Sequence, residues 1–459
     1  MPTPDTAERR TVLIIATLAA FLTPFMGSAV NIALPSIAAE FALDAVSLSF
    51  VASSYLLATA IFLVPLGRCA DIYGRKRIFT LGVVVFTASA LLSALAPSGL
   101  VLILFRFIEG IGSAMIYGTG VAMITSVFPP EERGRALGIN VTAVYVGLSI
   151  GPLLGGYLTE FLTWRSIFLT NIPLGIYIIC QVRRHLAGEW TDACGERLDI
   201  VGSVFYGAML LSVIYGFSQL PEFAGVVAIV AGIALSVVFY AWETRVESPV
   251  LNIRLLSSNR TFAFSNLAAL INYGATFAVG FLLSLYLQVV RGLDPGAAGL
   301  VLITQPVIQA LFATPAGRLS DRVEPRYVAS AGMGLTAVGL ALLTLLTATT
   351  PMTWIVASLV LLGFGFALFS SPNTNAVMSS VDRSLYGLAS GMLATMRTTG
   401  MMFSLAIATV TFALFIGSTQ IGPEVQEPFM TSLRVAFSVF AVLCTMGIFA
   451  SLARGRVRE

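Results

Sequence analysis

The residues of this sequence with the clearest capacity for chemistry are Arg106 and Glu109, three positions apart in a long apolar stretch. Ser113 and Tyr117 follow at a spacing that places all four side chains on one face of an α-helix. A carboxyl group in such a setting can take up and release a proton. Pairing with Arg106 would favour the ionised carboxylate, whereas burial would favour the protonated form. The sequence leaves open whether Glu109 carries a proton or only completes a structural ion pair.

Other kinds of chemistry have little support. His185 is the only histidine, and the four cysteines have no paired spacing: Cys69, Cys180, Cys194 and Cys444. We therefore expect no disulfide framework and no metal site. The chain has no Gly-x-x-x-x-Gly-Lys-Ser/Thr loop for a nucleotide and no basic run suited to nucleic acid. We expect no cofactor, no nucleic-acid partner and no enzymatic activity.

The composition requires a lipid environment for the helix that carries these residues. Hydrophobic residues make up 57% of the 459 positions and charged residues only 11%, and the mean hydropathy is +0.90. A soluble domain carries about 25% charge. The 41 glycines suit close contacts between helices in a bilayer. The sequence therefore predicts a protein embedded in membrane lipid.

Long apolar runs divide the chain into fourteen predicted spans, because about 20 apolar residues of helix cross a bilayer core. The runs do not alternate, so a β-barrel is excluded. The first run continues beyond a signal-peptide core and is interpreted as a retained span. The predicted spans are 12–35, 47–67, 78–97, 100–127, 135–159, 166–183, 199–219, 223–242, 261–290, 296–317, 327–349, 353–379, 386–416 and 431–453.

The basic residues orient these spans. With the N-terminus inside, most of the 26 Lys and Arg residues fall in cytoplasmic segments, whereas Arg165 and Arg291 fall in external loops. This asymmetry is the positive-inside pattern. We expect both termini in the cytoplasm and a multi-pass protein of the cytoplasmic membrane.

An internal repeat divides the chain into two halves. Gly67-Arg68-x-x-Asp71 returns 250 positions later as Gly317-Arg318-x-x-Asp321, and Gly110, Gly112, Gly134 and Gly138 return 253 positions later. Parallel repeats of this kind build two bundles around a site at the membrane midplane. We expect an all-α fold of two six-helix bundles, residues 1–187 and 259–459, with a linker and two additional helices in residues 188–258.

Four stretches resemble the major facilitator superfamily, in particular its fourteen-span drug:proton antiporter branch, over nearly the whole chain. One of them, Trp164 to Pro173, is expected mainly to anchor the chain at the membrane interface, and the other three are motifs with functional roles. The loop motif runs from Gly67 to Arg77, and its gate residues would be Gly67, Arg68, Asp71, Gly74, Arg75 and Lys76. Asp71 can accept hydrogen bonds from an arginine or a helix N-terminus. The resemblance implies a latch on the cytoplasmic side that breaks during gating.

The second motif lies in span 5 and resembles the antiporter motif of this branch. Its residues are Gly147, Gly151, Pro152, Gly155 and Gly156. Glycines four apart form a flat stripe for helix packing, and the resemblance implies that the stripe seals the outer half. The third motif is Arg106-Phe107-Ile108-Glu109-Gly110, whose arginine is implicated in proton transfer in the family. The resemblance therefore assigns Arg106 and Glu109 to proton coupling.

One position departs from the family pattern. Met26 stands where fourteen-span antiporters usually carry an acidic residue in span 1, which puts coupling by the usual route in doubt. The family's cavity helices carry further polar residues here. The predicted substrate cavity comprises Met26, Asn31, Ser113, Tyr117, Asn272, Gln305, Gln309, Asn373 and Arg397, with Asn375 as an additional candidate.

The resulting hypothesis is a monomeric secondary transporter that works by alternating access. We expect proton-coupled export of amphipathic, often cationic, organic compounds, with protons, a small-molecule substrate and lipid as its partners. The alternative is a carrier for a specific metabolite or lipid without proton coupling, because Met26 cannot titrate. A non-transporting membrane receptor is less favoured, and substrate flux in proteoliposomes would discriminate between these classes.

Overall fold

The structure is a computed structural model that describes residues 6–455 apart from positions 187, 192, 194, 247, 252, 383 and 384. Cys194 therefore lies outside the described residues. Within the described residues the regular elements are helices, and no strand is present. Fourteen of the helical segments are long and apolar enough to cross a membrane, which confirms the predicted number of spans and the all-α fold class.

The spans are numbered 1 to 14 in chain order. Their bounds are Ala7–Phe41, Ala45–Tyr73, Arg75–Ala94, Gly99–Val127, Glu132–Phe161, Arg165–His185, Ile200–Ser218, Phe223–Glu243, Arg260–Val290, Pro295–Ser320, Pro325–Leu343, Met352–Ser379, Tyr386–Phe415 and Gln426–Ala453. Span 6 is divided at Thr170 and span 10 at Ile303, and span 9 ends in the π-helix Tyr286–Val290. A short helix, Ile253–Ser258, precedes span 9.

Span 1 continues past the predicted end at Pro35 and ends at Phe41. Proline has no N–H, so the carbonyl four residues earlier loses its partner within the helix. That carbonyl belongs to Asn31, and it accepts the Ser284 hydroxyl of span 9 at 2.8 Å. The Gln288 amide donates to the next carbonyl, that of Ile32, at 3.0 Å. A neighbouring helix thus satisfies the freed backbone, as proline in a membrane helix requires.

The two halves of the chain repeat their glycine contacts. A Cβ on Gly110 of span 4 would lie 2.2 Å from the carbonyl oxygen of Tyr55 in span 2. A Cβ on Gly363 of span 12 would lie 2.4 Å from the carbonyl oxygen of Gln305 in span 10. Because Gln305 follows Tyr55 by the same 250 positions as the loop motif, the contacts are equivalent in the two bundles. Spans 7 and 8 pack on each other, and span 7 contacts spans 2 and 13.

The bundle has two ends, which we name after residues that lie there. The Glu40 end carries the connections after spans 1, 3 and 5, and the Gly74 end carries those after spans 2, 4 and 6. Hydrogen bonds join the two bundles at mid-depth and toward the Glu40 end. They connect Ser284 with Asn31, Thr409 with Ser49, Ala45 with Thr419, Gly296 with Glu160, and Tyr145 with Ser370. The two bundles are therefore held together at the Glu40 end in this conformation.

Candidate functional site

Arg106 and Glu109 of span 4 form a buried ion pair. Arg106 Nη1 lies 2.9 Å from Glu109 Oε2, and the two side chains are 1% and 0% exposed. The guanidinium stacks on the Tyr55 ring at 4.4 Å, and its Nε donates to the Val51 carbonyl at 3.3 Å. Span 2 therefore holds the arginine through the Tyr55 ring and the Val51 carbonyl. Only one of the two Glu109 carboxylate oxygens, Oε2, contacts the guanidinium.

The remaining carboxylate oxygen has different surroundings. Glu109 Oε1 is buried and has no hydrogen-bond partner within the described part of the chain. An ionised carboxylate with one unsatisfied oxygen in an apolar surrounding is costly. Protonation would remove this cost but would leave the buried Arg106 guanidinium without its counter-charge. Pairing with Arg106 and the unsatisfied oxygen therefore act in opposite directions on the ionised form of Glu109.

The polar face of span 4 is closed at its Glu40 side and partly open further along. The Tyr55 hydroxyl donates to Ser113 Oγ at 2.8 Å and lies 3.1 Å from the Thr23 carbonyl, so Ser113 is fully buried between spans 1, 2 and 4. Tyr117, one turn further, is half-buried. Of the four predicted residues, Tyr117 is the one that reaches an accessible surface. In this conformation spans 2 and 4 therefore enclose Glu109, which is 0% exposed.

Met26 lies in the same bundle and is fully buried. The Asn171 amide nitrogen of span 6 lies 3.9 Å from its sulfur. Asn31, which is also predicted to line the cavity, is 8% exposed. A thioether and an amide do not titrate, so neither position can carry a proton.

The predicted amides of the C-terminal bundle are distributed over spans 9, 10 and 12. Asn272 is fully buried, and its Nδ2 and Oδ1 have no partner among the described residues. Asn373 donates to the Ser265 carbonyl at 3.1 Å and so joins spans 12 and 9. Gln309 is buried and Gln305 is half-buried. Asn272 is therefore the amide with the largest unused capacity for hydrogen bonds.

Arg397 of span 13 is half-buried at mid-depth. Its Nη2 donates to Thr374 Oγ1 at 2.5 Å, and its guanidinium carbon lies 5.6 Å from the centre of the Tyr273 ring. On the same helix as Thr374, Ser370 shares a 2.9 Å hydrogen bond with Tyr145 of the other bundle. Tyr145 and Tyr273 were absent from the sequence prediction. Tyrosines within apolar spans were a signal that could have found them.

The antiporter motif of span 5 has two faces that contact different helices. A Cβ on Gly147 would lie 2.5 Å from the Phe21 carbonyl oxygen, and a Cβ on Gly151 would lie 1.9 Å from Ser28 Oγ, both in span 1. Gly155 packs on Ala29 of span 1 in the same way. Three of the glycines therefore join spans 1 and 5 within one bundle.

The other face of this motif contacts the second bundle. A Cβ on Gly156 would lie 2.5 Å from the Pro295 carbonyl oxygen of span 10, and a Cβ on Gly299 would lie 2.3 Å from the Pro152 carbonyl oxygen. The backbones of spans 5 and 10 are therefore in close contact between the bundles at the Glu40 end. The small residues permit this close approach.

The loop motif lies at the Gly74 end. Arg75 donates to Asp71 Oδ1 from Nε at 3.0 Å and from Nη2 at 2.8 Å, and its Nη1 donates to Ser126 at 2.8 Å. Gly118 allows span 4 to approach Gly67 closely, because a Cβ on Gly118 would lie 3.1 Å from the Gly67 Cα, whereas a Cβ on Gly67 would lie 3.9 Å from the Gly118 Cα. Gly74 has a φ of +120°, which glycine adopts without strain. In this conformation Asp71 is engaged within its own bundle.

The linker after span 6 docks on this loop, a contact that the sequence did not predict. The Glu189 carboxylate accepts the backbone N–H of Lys76 at 2.7 Å and that of Arg77 at 3.2 Å. A negative charge at the start of span 3 is favourable because the helix dipole is positive there. Arg68 pairs with Glu196 of the linker, and the Ala193 N–H donates to the Asp71 carbonyl at 3.0 Å. The linker therefore contacts the loop motif directly.

A second buried carboxylate was also absent from the sequence prediction. Glu243, at the end of span 8, is 2% exposed. Its Oε2 accepts the Leu251 N–H at 3.0 Å. A residue at the end of an apolar run is predicted to reach solvent, but the start of span 7 at Gly202 and the return of the chain at Leu251 cover this one. Glu243 ties the inserted helix pair to the segment that leads into span 9.

Comparison of the sequence with protein-family models identifies the class of membrane protein to which this chain belongs. A family model described as Major Facilitator Superfamily matches residues 16–182 and 266–458. The chain belongs to the Major Facilitator Superfamily. It is a multi-pass membrane transporter, and the expectation that it is not an enzyme is confirmed by this membership.

Curated relatives cover almost the whole chain or a large part of it. The cephamycin export protein CmcT of Amycolatopsis lactamdurans is 33% identical over 464 residues, 98% of this chain and 95% of that protein. The riboflavin transporter RibZ of Clostridioides difficile is 28% identical and covers 96% of both chains. The multidrug resistance protein Stp of Mycobacterium tuberculosis is 28% identical over 89% of this chain and 76% of its own. The predicted resemblance to the drug-efflux branch is consistent with these relatives.

Solved structures share the fold. A bacterial homolog of the human lysosomal transporter Spinster, in an inward-facing and occupied conformation, gives a TM-score of 0.67. It is 17% identical, with 98% of this chain and 97% of that chain covered. At this identity the likeness establishes the major facilitator fold.

Proposed function

We propose that this protein exports amphipathic organic compounds across the cytoplasmic membrane in exchange for protons, by alternating access. The Arg106–Glu109 pair is the observation that carries the proposal, because a fully buried carboxylate in a span is costly and marks a functional group. Coupling requires a group that binds a proton in one state and releases it in another. Glu109 is placed where a movement of span 2 would change its surroundings.

The contacts between the bundles support the transport cycle. They lie at mid-depth and toward the Glu40 end, where Gly156 and Gly299 allow the backbones to meet. We propose that this end is external, that the Gly74 end and both termini are cytoplasmic, and that the protein works as a monomer. The conformation then represents the state that is sealed on the outside. The names of the cephamycin exporter and of the multidrug resistance protein agree with export of organic compounds.

The experiment that tests this proposal uses purified protein in proteoliposomes with an acidic lumen. We expect the fluorescent probes fluorescein or rhodamine 6G to accumulate in the lumen while protons leave, as reported by a trapped pH dye. Collapse of the gradient with a protonophore should abolish the accumulation. Equal accumulation without the gradient would contradict proton coupling.

A specific carrier without proton coupling is the second candidate. It is favoured by Met26, which is fully buried and cannot titrate at the position of the family's usual acid. The riboflavin transporter among the relatives agrees with a metabolite as substrate. Probe exchange that equilibrates across the membrane but never exceeds the external concentration would support this candidate.

A further inference from the structure

Arg397 is a cation in the middle of a span, and no ion pair joins it to a carboxylate among the described residues. It lies in the middle third of span 13, Tyr386–Phe415, and its one hydrogen bond within the described part of the chain goes to the Thr374 hydroxyl. Its Nε is buried and has no partner there. A charged residue at this depth costs about 2.5 kcal/mol or more. Because this cost lowers the stability of the fold, we expect the arginine to have a function such as ligand binding.

Two other arginines of the spans are paired with carboxylates, whereas the fully buried Arg454 after span 14 bonds to Ser451. Arg106 pairs with Glu109 at 2.9 Å inside the N-terminal bundle. Arg165 pairs with Glu40 at 2.6 Å at the Glu40 end. When Glu109 is ionised, the groups at mid-depth therefore carry a net positive charge that belongs to Arg397. This charge favours an anion and disfavours an organic cation.

The surroundings of Arg397 face the interface between the bundles. Thr374 lies one helical turn from Ser370, which bonds to Tyr145 of the N-terminal bundle at 2.9 Å. Span 12 runs from the Glu40 end to the Gly74 end, so Thr374 and Arg397 lie on the Gly74 side of this contact. The Tyr273 ring, 5.6 Å from the guanidinium, packs edge-on against Phe366. The Tyr273 and Phe366 rings thus lie beside a guanidinium that has unused hydrogen-bond donors.

We propose that Arg397 binds the negatively charged group of an amphipathic, aromatic substrate, whose rings pack against Tyr145 and Tyr273. The guanidinium has donors left for a carboxylate, sulfonate or phosphate oxygen. This assignment rests on the proposed transport of organic compounds and replaces the expectation that these compounds are often cationic. The proposed ligand is a soluble organic anion and not an anionic lipid.

The test compares two dyes that share a tricyclic scaffold and differ in charge, the anion fluorescein and the cation rhodamine 6G. Binding is measured by fluorescence anisotropy on the full chain in phosphatidylcholine nanodiscs, in mildly alkaline buffer and without a gradient. We expect wild type to bind fluorescein more tightly. Arg397→Gln should raise the Kd for fluorescein about tenfold or more and leave the Kd for rhodamine 6G unchanged or lower. Arg397→Lys should retain part of the affinity.

The matched control is Arg434→Gln, which removes the same charge from an exposed position in span 14 where Arg434 contacts the Leu346 carbonyl. It should leave both affinities unchanged, and thermal unfolding of each variant checks the fold. A tighter wild-type Kd for rhodamine 6G, no fluorescein binding, or unchanged fluorescein affinity in Arg397→Gln would overturn the inference. Displacement of fluorescein by added phosphatidylglycerol would overturn the choice of a soluble anion.

The outcomes separate this inference from the proposed function. Selective fluorescein binding without gradient-driven accumulation in proteoliposomes would refute proton coupling and leave the anion site in place. Gradient-driven accumulation of rhodamine 6G in preference to fluorescein would retain the transporter and refute the anion site.

Discussion

The carboxylate of Glu160, at the end of span 5, accepts the backbone N–H of Gly296, at the start of span 10, with Oε2 3.0 Å from the nitrogen. The contact crosses the two bundles at the Glu40 end. The first N–H groups of a helix have no partner within the helix, and the helix dipole favours a negative charge there. Glu160 therefore stabilises the conformation in which this end is closed.

Glu160→Ala should shift the protein toward the conformation that is open at the Glu40 end. A charge at an exposed helix N-terminus contributes about 0.3–1 kcal/mol, so the equilibrium should move about two- to fivefold. Distances between spin labels on the ends of spans 5 and 10 measure the populations. Glu222→Ala removes an exposed carboxylate from the connection between spans 7 and 8 and should leave the populations unchanged. An unchanged distribution in Glu160→Ala would show that the contact does not stabilise closure.

The same glycine-to-alanine change should have different consequences on the two faces of span 5. Gly156→Ala places a methyl group against the Pro295 carbonyl of the other bundle and should weaken closure of the Glu40 end. Gly151→Ala places it against Ser28 within the same bundle and should lower thermal stability instead. Overpacking of this kind costs about 1–3 kcal/mol. Labelling of cysteines at the Glu40 end and thermal unfolding measure the two effects, and identical behaviour of the variants would contradict the division.

Asp71→Asn should impair transport while the protein still folds. The change removes the charge that Arg75 contacts at 2.8 Å and that we expect to contribute to closure of the Gly74 end in the other state. A coupling contact of this kind typically changes an equilibrium about fivefold or more. Initial rates of probe flux in proteoliposomes measure the effect, with Glu132→Gln as a control at the same end. Wild-type rates in Asp71→Asn at normal expression would refute the latch.

The topology can be tested independently of any substrate. Epitope tags at residue 190 and at the C-terminus should be accessible only from the cytoplasm, and a tag at residue 422 only from outside. The basic residues near the Gly74 end are the reason for this orientation. Protease protection in spheroplasts and inverted vesicles measures it. A C-terminal tag on the external face would contradict the fourteen-span orientation.

The spans and motifs could be predicted because they depend on local properties of the sequence. Fourteen apolar runs of sufficient length define the helices, and the glycine repeat indicates two equivalent bundles. Helix ends were less predictable. Span 1 was predicted to end at residue 35, but the Ser284 hydroxyl satisfies the Asn31 carbonyl that Pro35 frees, and the helix continues to Phe41. That partner lies 253 positions away and becomes known only from the packing.

The candidate site was predictable in part for the same reason. The spacing of Arg106 and Glu109 predicts a pair, and the structure contains it. The spacing does not say whether this face meets a cavity or another helix, and span 2 covers it through Tyr55. The docking of Glu189 on span 3 and the Tyr145–Ser370 contact each join segments that are distant in sequence. No local pattern specifies such partners.

We propose that Glu109 carries the coupled proton. Glu109→Gln keeps the size of the side chain and its acceptor oxygen and removes the titrating group. Binding of a probe to the purified variant should remain measurable and should lose its dependence on pH. Glu243→Gln is the matched control, because Glu243 is the other buried carboxylate described here and contacts a backbone N–H at the end of span 8.

The most direct measurement is probe accumulation in proteoliposomes with an imposed proton gradient, for wild type, Glu109→Gln and Glu243→Gln in parallel. We expect wild type and Glu243→Gln to concentrate the probe in the acidic lumen. Glu109→Gln should only equilibrate the probe across the membrane while retaining its binding affinity. If Glu109→Gln still concentrates the probe as wild type does, the Arg106–Glu109 pair is structural and Glu109 is not the proton carrier.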